Sequence, residues 1–258
     1  MTDYQIFKAC FPELIIDEKN FSRLAYGEDV HIFRNEGGFA TMRNDHIELL
    51  CVAPEYQRHG IGTKLLKQCE EHIGTKHEKV FLSGNMLPGV AEGSEDFFHR
   101  NGYTIGGLFN EMSLELAEFS VPQYTAPEGA EFCFYSGSIE AIRSAVAEVD
   151  EEWVQYFDED GKFFVCMIDN EIASFCIVGE DECCLLSDGK RIGSIGCVGT
   201  VPKFRRNGIG LHMVALASEH LRNIGCDRVF IHYTHLDKWY GKLGAKTFLR
   251  FLTAEKAV

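Results

Sequence analysis

Two stretches of this chain repeat one pattern of glycine, proline and arginine. Val52-Ala53-Pro54-Glu55-Tyr56-Gln57-Arg58-His59-Gly60-Ile61-Gly62 matches Thr200-Val201-Pro202-Lys203-Phe204-Arg205-Arg206-Asn207-Gly208-Ile209-Gly210 without a gap, every position offset by 148 residues. Each stretch follows an apolar run and opens an amphipathic one. A strand that ends in a glycine turn and feeds a helix presents the free N–H groups of the first helical turn. Those donors, with the positive end of the helix dipole, suit a phosphate or pyrophosphate. Gly60, Gly62, Gly208 and Gly210 let the backbone approach such a ligand without a Cβ in the way. Arg58 and Arg206 add positive charge at the same place. Arg58-His59-Gly60-Ile61-Gly62 and Arg205-Arg206-Asn207-Gly208-Ile209-Gly210 are therefore candidate cofactor-binding turns. Neither is a P-loop, because the G-x-x-x-x-G-K-[ST] spacing is missing. Neither is a dinucleotide fingerprint, since Leu65 and Met213 stand where the third glycine belongs.

A second landmark follows each turn: Phe97-Phe98-His99-Arg100-Asn101-Gly102-Tyr103 and Trp239-Tyr240-Gly241-Lys242-Leu243-Gly244-Ala245. Their glycines, Gly102 and Gly244, are 142 residues apart, so the first repeat holds a longer intervening loop. Two landmarks in one order argue for a duplicated domain. We expect a first domain over residues 1–120, a linker over 121–129 that holds two of the six prolines, and a second domain over 130–258.

The elements that must hold these turns are legible from periodicity. His46–Val52 and Ile192–Val198 read as strands before the turns. After them Ile61, Leu65, Leu66, Cys69 and Ile73 share one helical face, as do Ile209, Met213, Leu216, Ala217, Leu221 and Ile224. Further strands are expected at residues 30–34, 39–43, 79–82, 103–116, 131–135, 162–168, 172–178, 228–233 and 247–253. The strand after each central helix should run parallel to the one before it. The fold class is thus α/β (α+β), with a mixed, mostly antiparallel sheet flanked by helices in each repeat.

The [QR]-R-x-G-I-G turn after a strand, with proline six residues before the first glycine, resembles the pyrophosphate-binding motif of the GNAT superfamily of N-acetyltransferases. Trp239-Tyr240-x-x-x-Gly244 resembles that superfamily's later aromatic-Tyr motif, and the tandem arrangement is similar to that of mycothiol synthase-like members. The resemblance covers roughly residues 30–116 and 130–252. It implies acetyl-CoA as co-substrate, held in the opening between two splayed strands. It also implies backbone N–H groups around Cys197, Val198, Gly199 and Thr200 that stabilise the oxyanion, and direct attack by a primary amine of a small molecule or peptide. By the same resemblance Tyr240 protonates the departing thiolate. The first repeat has Phe98 there, which has no proton to give. The C-terminal repeat is accordingly expected to be catalytic and the N-terminal one ancillary. Glu48 lies where some members keep a general base, whereas Gly196 occupies the matching place in the second repeat. For that repeat, His232, His235 and Asp237 are the base candidates ahead of Tyr240, with His235 carried forward and a water chain as an alternative. A non-catalytic acyl-CoA-binding or sensor protein is the competing expectation. His59 and His99 are expected in exposed loops.

Composition bounds the partners. The formal charge is −14, from 39 acidic against 25 basic residues, which disfavours nucleic acid. No apolar run approaches the ~18 residues of a membrane helix, and the N-terminus lacks signal-peptide features, so no membrane and a cytoplasmic location are expected. The ten cysteines are read as reduced thiols, with Cys51, Cys69, Cys166, Cys176 and Cys197 set among apolar residues. No C-x-x-C pair occurs, and no metal site is expected. The assembly is expected to be a monomer or a homodimer.

Overall fold

The computed structural model describes residues 1–27, 29–74, 77–82, 89–180, 185–186 and 188–257. In chain order the elements begin with α1 (Asp3–Cys10), α2 (Glu18–Ala25), β1 (His31–Asn35), β2 (Gly38–Arg43), β3 (His46–Val52), a 3₁₀ turn at Pro54–Tyr56, α3 (Ile61–Ile73) and β4 (Lys79–Leu82). Next come β5 (Val90–Ala91), α4 (Glu95–Arg100), β6 (Thr104–Glu115), β7 (Ala130–Phe134), α5 (Ile139–Ala147) and a 3₁₀ turn at Glu151–Tyr156. The last are β8 (Phe163–Ile168), β9 (Glu171–Glu180), β10 (Ile192–Thr200), a 3₁₀ turn at Pro202–Phe204, α6 (Ile209–Asn223), β11 (Arg228–Thr234), α7 (Asp237–Tyr240) with a 3₁₀ turn at Gly241–Leu243, and β12 (Lys246–Ala257). Residues 121–127 form no helix or strand. His99 is exposed as expected, but it lies on α4 and not in a loop. His59 is an exposed loop residue.

The described residues divide into two compact units. One holds Met1–Asn110, the loop around Leu185–Leu186 and the C-terminal stretch from Phe248; the other holds Glu111 onward through Thr247. The ends of the units thus do not follow two consecutive halves of the chain. Strand β6 passes from one unit to the other, and the C-terminal strand β12 lies almost wholly in the unit built by the N-terminal sequence.

In the first unit the strands run β1-β2-β3-β4-β12-β6. The pairs β1–β2 and β2–β3 are antiparallel hairpins, and β3 pairs parallel to β4 at His46 and Phe81. The buried face of α3 (Leu65, Leu66, Cys69, Ile73) closes over Met42, Ile47, Val80 and, from β12, Ala254. The antiparallel register of β12 on β4 runs from Ala254 opposite Leu82 to Ala257 opposite Lys79. Lys79 meets Glu255 at 2.9 Å, and Lys256 meets Glu70 at 2.9 Å. The helices α1 and α2, of eight residues each, escaped the sequence reading because neither spans enough turns to show a period. A Thr2/Gln5 capping box starts α1 and Asp17 caps α2. Phe7 and Phe21, 5.0 Å apart, carry them onto Phe39.

In the second unit the order is β6-β11-β10-β9-β8-β7. β7 pairs antiparallel to β8 across the excursion through α5, a hairpin joins β8 to β9, and β10 pairs antiparallel to β9 but parallel to β11. On one face α6 packs Met213, Val214, Ala217 and Leu221 against Val178, Ile195, Val229 and Ile231, joined by Met112 and Leu114 from β6 and by Leu116 just after it. On the other face α5 buries Ile142 and Val146 among Phe157, Val165 and Phe175.

Candidate functional site

The two glycine turns share one backbone geometry. Arg58 and Arg206 have φ of 64° and 70°, and Gly60 and Gly208 have φ of 80° and 74°. Both turns follow a 3₁₀ turn opened by proline. A side chain braces each at the same register: Gln57 Nε2 donates to Val52 O at 3.0 Å, and Arg205 Nε donates to Thr200 O at 2.9 Å. Arg205 is therefore engaged with the strand end. Neither N-cap glycine brings a side-chain acceptor. The first helical bonds are donated by Lys64 to Gly60 O and by His212 to Gly208 O. The N–H groups ahead of them remain available to an anion. Arg58, His59, Arg206 and Asn207 are exposed, whereas Ile209 and Gly210 are buried and root the second turn.

The second landmark lies against the turn in both units. A Cβ on Gly62 would stand 3.2 Å from the Phe97 ring, and one on Gly210 would stand 3.6 Å from Trp239. Phe97 and Trp239 thus occupy equivalent places, and so do the next residues. Phe98 is 6% exposed and Tyr240 is 5% exposed, each edge-on to its neighbour. Burial, with the Cys176 and Cys197 thiols nearby, pushes the Tyr240 phenol well above its ordinary pKa. Its ring shares a core cluster with Ile195 of β10, and Val198 at the irregular part of that strand packs against the same cluster.

There the strand departs from a regular ladder. Parallel pairing of β10 with β11 covers Ile192–Arg228, Gly193–Val229 and Ser194–Phe230 and stops. Beyond that point no further residues of the two strands are paired. On its other edge β10 shifts register against β9 between Gly196 and Gly199, and Cys197 takes φ of 46° at this bulge. Cys197 and Val198 have no partner on β9 at this bulge, and pairing resumes at Gly199 opposite Phe175. Gly199 is required for packing, since a Cβ would meet Phe175 Cζ at 2.2 Å. Ser174 fixes the strand end by donating to Gly199 O at 2.5 Å, with Thr200 Oγ1 3.0 Å away. In the first unit β3 also carries a bulge, at Glu48, but no residue of that strand has positive φ.

Glu48 is half-buried with Arg43 Nε 3.4 Å from its carboxylate, and desolvation raises its pKa. His235 is exposed in the turn between β11 and α7, and Asp237 opens α7. His232 extends from β11 two residues past the last parallel pair, 2.8 Å from the buried carboxylate of Glu111. Glu111 left no sequence signal, being one polar residue on an alternating strand. Tyr124, from the segment between the repeats, was also missed. Its hydroxyl donates to Asn207 O at 2.6 Å and its ring stacks on His212 at 4.5 Å, beside the Gly208 turn. Among the described residues no group of three His, Cys, Asp or Glu side chains is placed to hold a metal, and no helix is long and apolar enough to cross a membrane.

The same strand–turn–helix, with arginine and glycine in the left-handed region of the turn, occurs in both units. The pattern described as "Acetyltransferase (GNAT) domain" matches residues 23–105, and "Acetyltransferase (GNAT) family" matches residues 128–245. The chain belongs to the GNAT superfamily of acetyltransferases and carries two such domains in tandem. It is similar to a mycothiol acetyltransferase of Thermobifida fusca (strain YX), with 25% identity over 71% of this chain and 64% of the relative. The chain therefore spans less than two thirds of that relative's length. Among solved structures, the glucosamine N-acetyltransferase region of a fungal multi-domain GH3 β-N-acetylglucosaminidase superposes with a TM-score of 0.75 at 16% identity, over 97% of this chain and 36% of that one. A GCN5-related N-acetyltransferase from Sphaerobacter thermophilus gives 0.64 at 18% identity, over 86% and 76%. A tandem GNAT protein from the clavulanic acid biosynthesis pathway gives 0.59 at 12%, over 99% and 96%. At these identities the structural likenesses speak to fold.

Proposed function

We propose that the C-terminal repeat, residues 130–258 in the division expected above, transfers an acetyl group from acetyl-CoA to a primary amine of a small molecule or peptide by direct attack. The N-terminal repeat, 1–120, is ancillary, and 121–129 link them. The observation that carries this reading is the buried Tyr240 phenol, clustered with Ile195 of β10 where the parallel pairing stops; the first repeat has only Phe98 in that place. The N–H groups of Arg206 to Gly210 hold the pyrophosphate, and backbone N–H groups of Val198 to Thr200 face the developing oxyanion. Attack by the amine nitrogen forms the N–C bond and breaks the C–S bond. Tyr240, kept protonated by its raised pKa, gives its proton to sulfur as negative charge builds there.

The first repeat supports a second, narrower reading. Its turn has the same geometry as the catalytic one, so it binds acyl-CoA without turning it over. Tyr240→Phe tests both. Phe98 fills the equivalent slot as a phenylalanine, so the variant should fold. Thiol release from acetyl-CoA with an amine panel should fall by about 10²–10⁴-fold, while acetyl-CoA affinity stays nearly intact. Phe98→Tyr should gain nothing. Full activity in Tyr240→Phe, combined with loss of activity on replacing Gly60 or Glu48, would move the reaction to the first repeat.

A further inference from the structure

The amine reaches the thioester as an ammonium ion at neutral pH, so some group must take a proton before attack. Candidates on the second unit are limited by strand alternation. Val229 and Ile231 share a core cluster with Tyr240, and so does Ile195 of β10. Phe230 and His232 therefore present the opposite face of β11, as Ser194 and Gly196 do on β10. The ring centroids of Phe230 and His232 lie 5.6 Å apart, as same-face neighbours. Ser194 and Phe230 form the last parallel pair, so Gly196 and His232 stand at one level on the two strands, two residues beyond it. A Cβ on Gly196 would meet no atom within 4 Å, which leaves this face open across from the imidazole.

His232 is held for the task. Its Nδ1 lies 2.8 Å from the carboxylate of Glu111, whose side chain is 2% exposed while that of His232 is 37% exposed. Glu111 also accepts the Tyr233 N–H. An ionised carboxylate only accepts hydrogen bonds, so it selects the tautomer with the proton on Nδ1 and leaves the Nε2 lone pair as the ring's acceptor. The buried carboxylate orients a half-exposed imidazole on the face of the sheet opposite Tyr240.

We propose that His232 is the catalytic base of the C-terminal repeat and that Glu111 is its positioning residue. The inference rests on the acetyl-transfer reading above. Nε2 takes one proton from the ammonium, and the freed electron pair forms the N–C bond. The C–S bond breaks with its electrons on sulfur, which takes the Tyr240 proton. A second proton leaves the nitrogen after attack and replaces the one Tyr240 gave. The products are amide, thiol and the proton that His232 returns to solvent.

The test uses the full chain with glucosamine, L-lysine and tyramine as acceptors and thiol release as readout. His232→Ala should lower kcat/KM toward the acceptors the wild type uses by about 10²–10⁴-fold, with acetyl-CoA affinity unchanged. Added imidazole should restore part of the rate, and 4-methylimidazole, the stronger base, should restore more. Glu111→Gln, which keeps the ring but loses the charged acceptor, should fall by less and should not respond to imidazole. Full activity in His232→Ala overturns the assignment, as does a loss that no imidazole restores or one that both imidazoles restore equally. A wild-type protein that releases no thiol with any of the three amines would instead remove the transfer reading, and the base with it.

Discussion

At the scale of single residues, burial separates the thiols that react from those that do not. Burial pushes the Cys176 and Cys69 thiols up to about 12, and the Cys166 and Cys197 thiols up to about 11. Since the thiolate is the nucleophile, none of these four should react readily with iodoacetamide at neutral pH. Cys133 is exposed and should be alkylated first among the described cysteines. Peptide mass mapping after brief labelling checks this, and fast modification of Cys197 would contradict it. Cys197 stands at the β10 bulge, where its φ of 46° interrupts the ladder. The residue types of Tyr240 and Phe98 were legible from spacing alone. Glu111 was not, because a carboxylate becomes informative only when its burial and its partner are known, and His232 is 121 residues away in the chain.

At the scale of elements, the strand–turn–helix unit was read from sequence almost to the residue. Proline, arginine and glycine each demand a particular backbone state, so the turn is over-determined locally. Gly208 is the position to test. A β-branched side chain at φ of 74° is strained by roughly 1–3 kcal/mol, and its Cβ would stand 3.0 Å from the Tyr124 ring. Gly208→Val should therefore weaken acetyl-CoA binding by calorimetry while circular dichroism shows a folded chain. Unchanged affinity in a folded variant would remove the pyrophosphate role from this turn. The short helices α1, α2 and α5 were missed for the opposite reason. They are fixed by what they pack on, such as Phe39 for α1 and α2 or Phe175 for α5, and not by a period of their own.

At the scale of the molecule, the duplication was legible but the path of the terminal strands was not. Nothing local tells β12 to pair with β4, because register between distant strands is set by the whole buried face. Residues 130–258 alone would lack Met112, Leu114, Leu116 and Phe119, all buried in the second unit's core. That fragment should show no cooperative thermal transition. A chain ended at Ala245 should lose the Lys79–Glu255 and Glu70–Lys256 pairs and the burial of Ala254, and so destabilise the unit made by the N-terminal sequence. Differential scanning calorimetry of both fragments decides. A sharp transition in 130–258, or an unaltered first unit in 1–245, would show that the terminal strands are dispensable.

The return of β12 also sets a timetable for synthesis. A ribosome makes Lys79–Leu82 well before their partner, with Lys79 and Glu255 lying 176 positions apart. Throughout that interval one edge of β4 waits unpaired, and an open strand edge invites pairing with other chains. The N-terminal unit, begun before the second unit, is thus completed only after the second unit has been made.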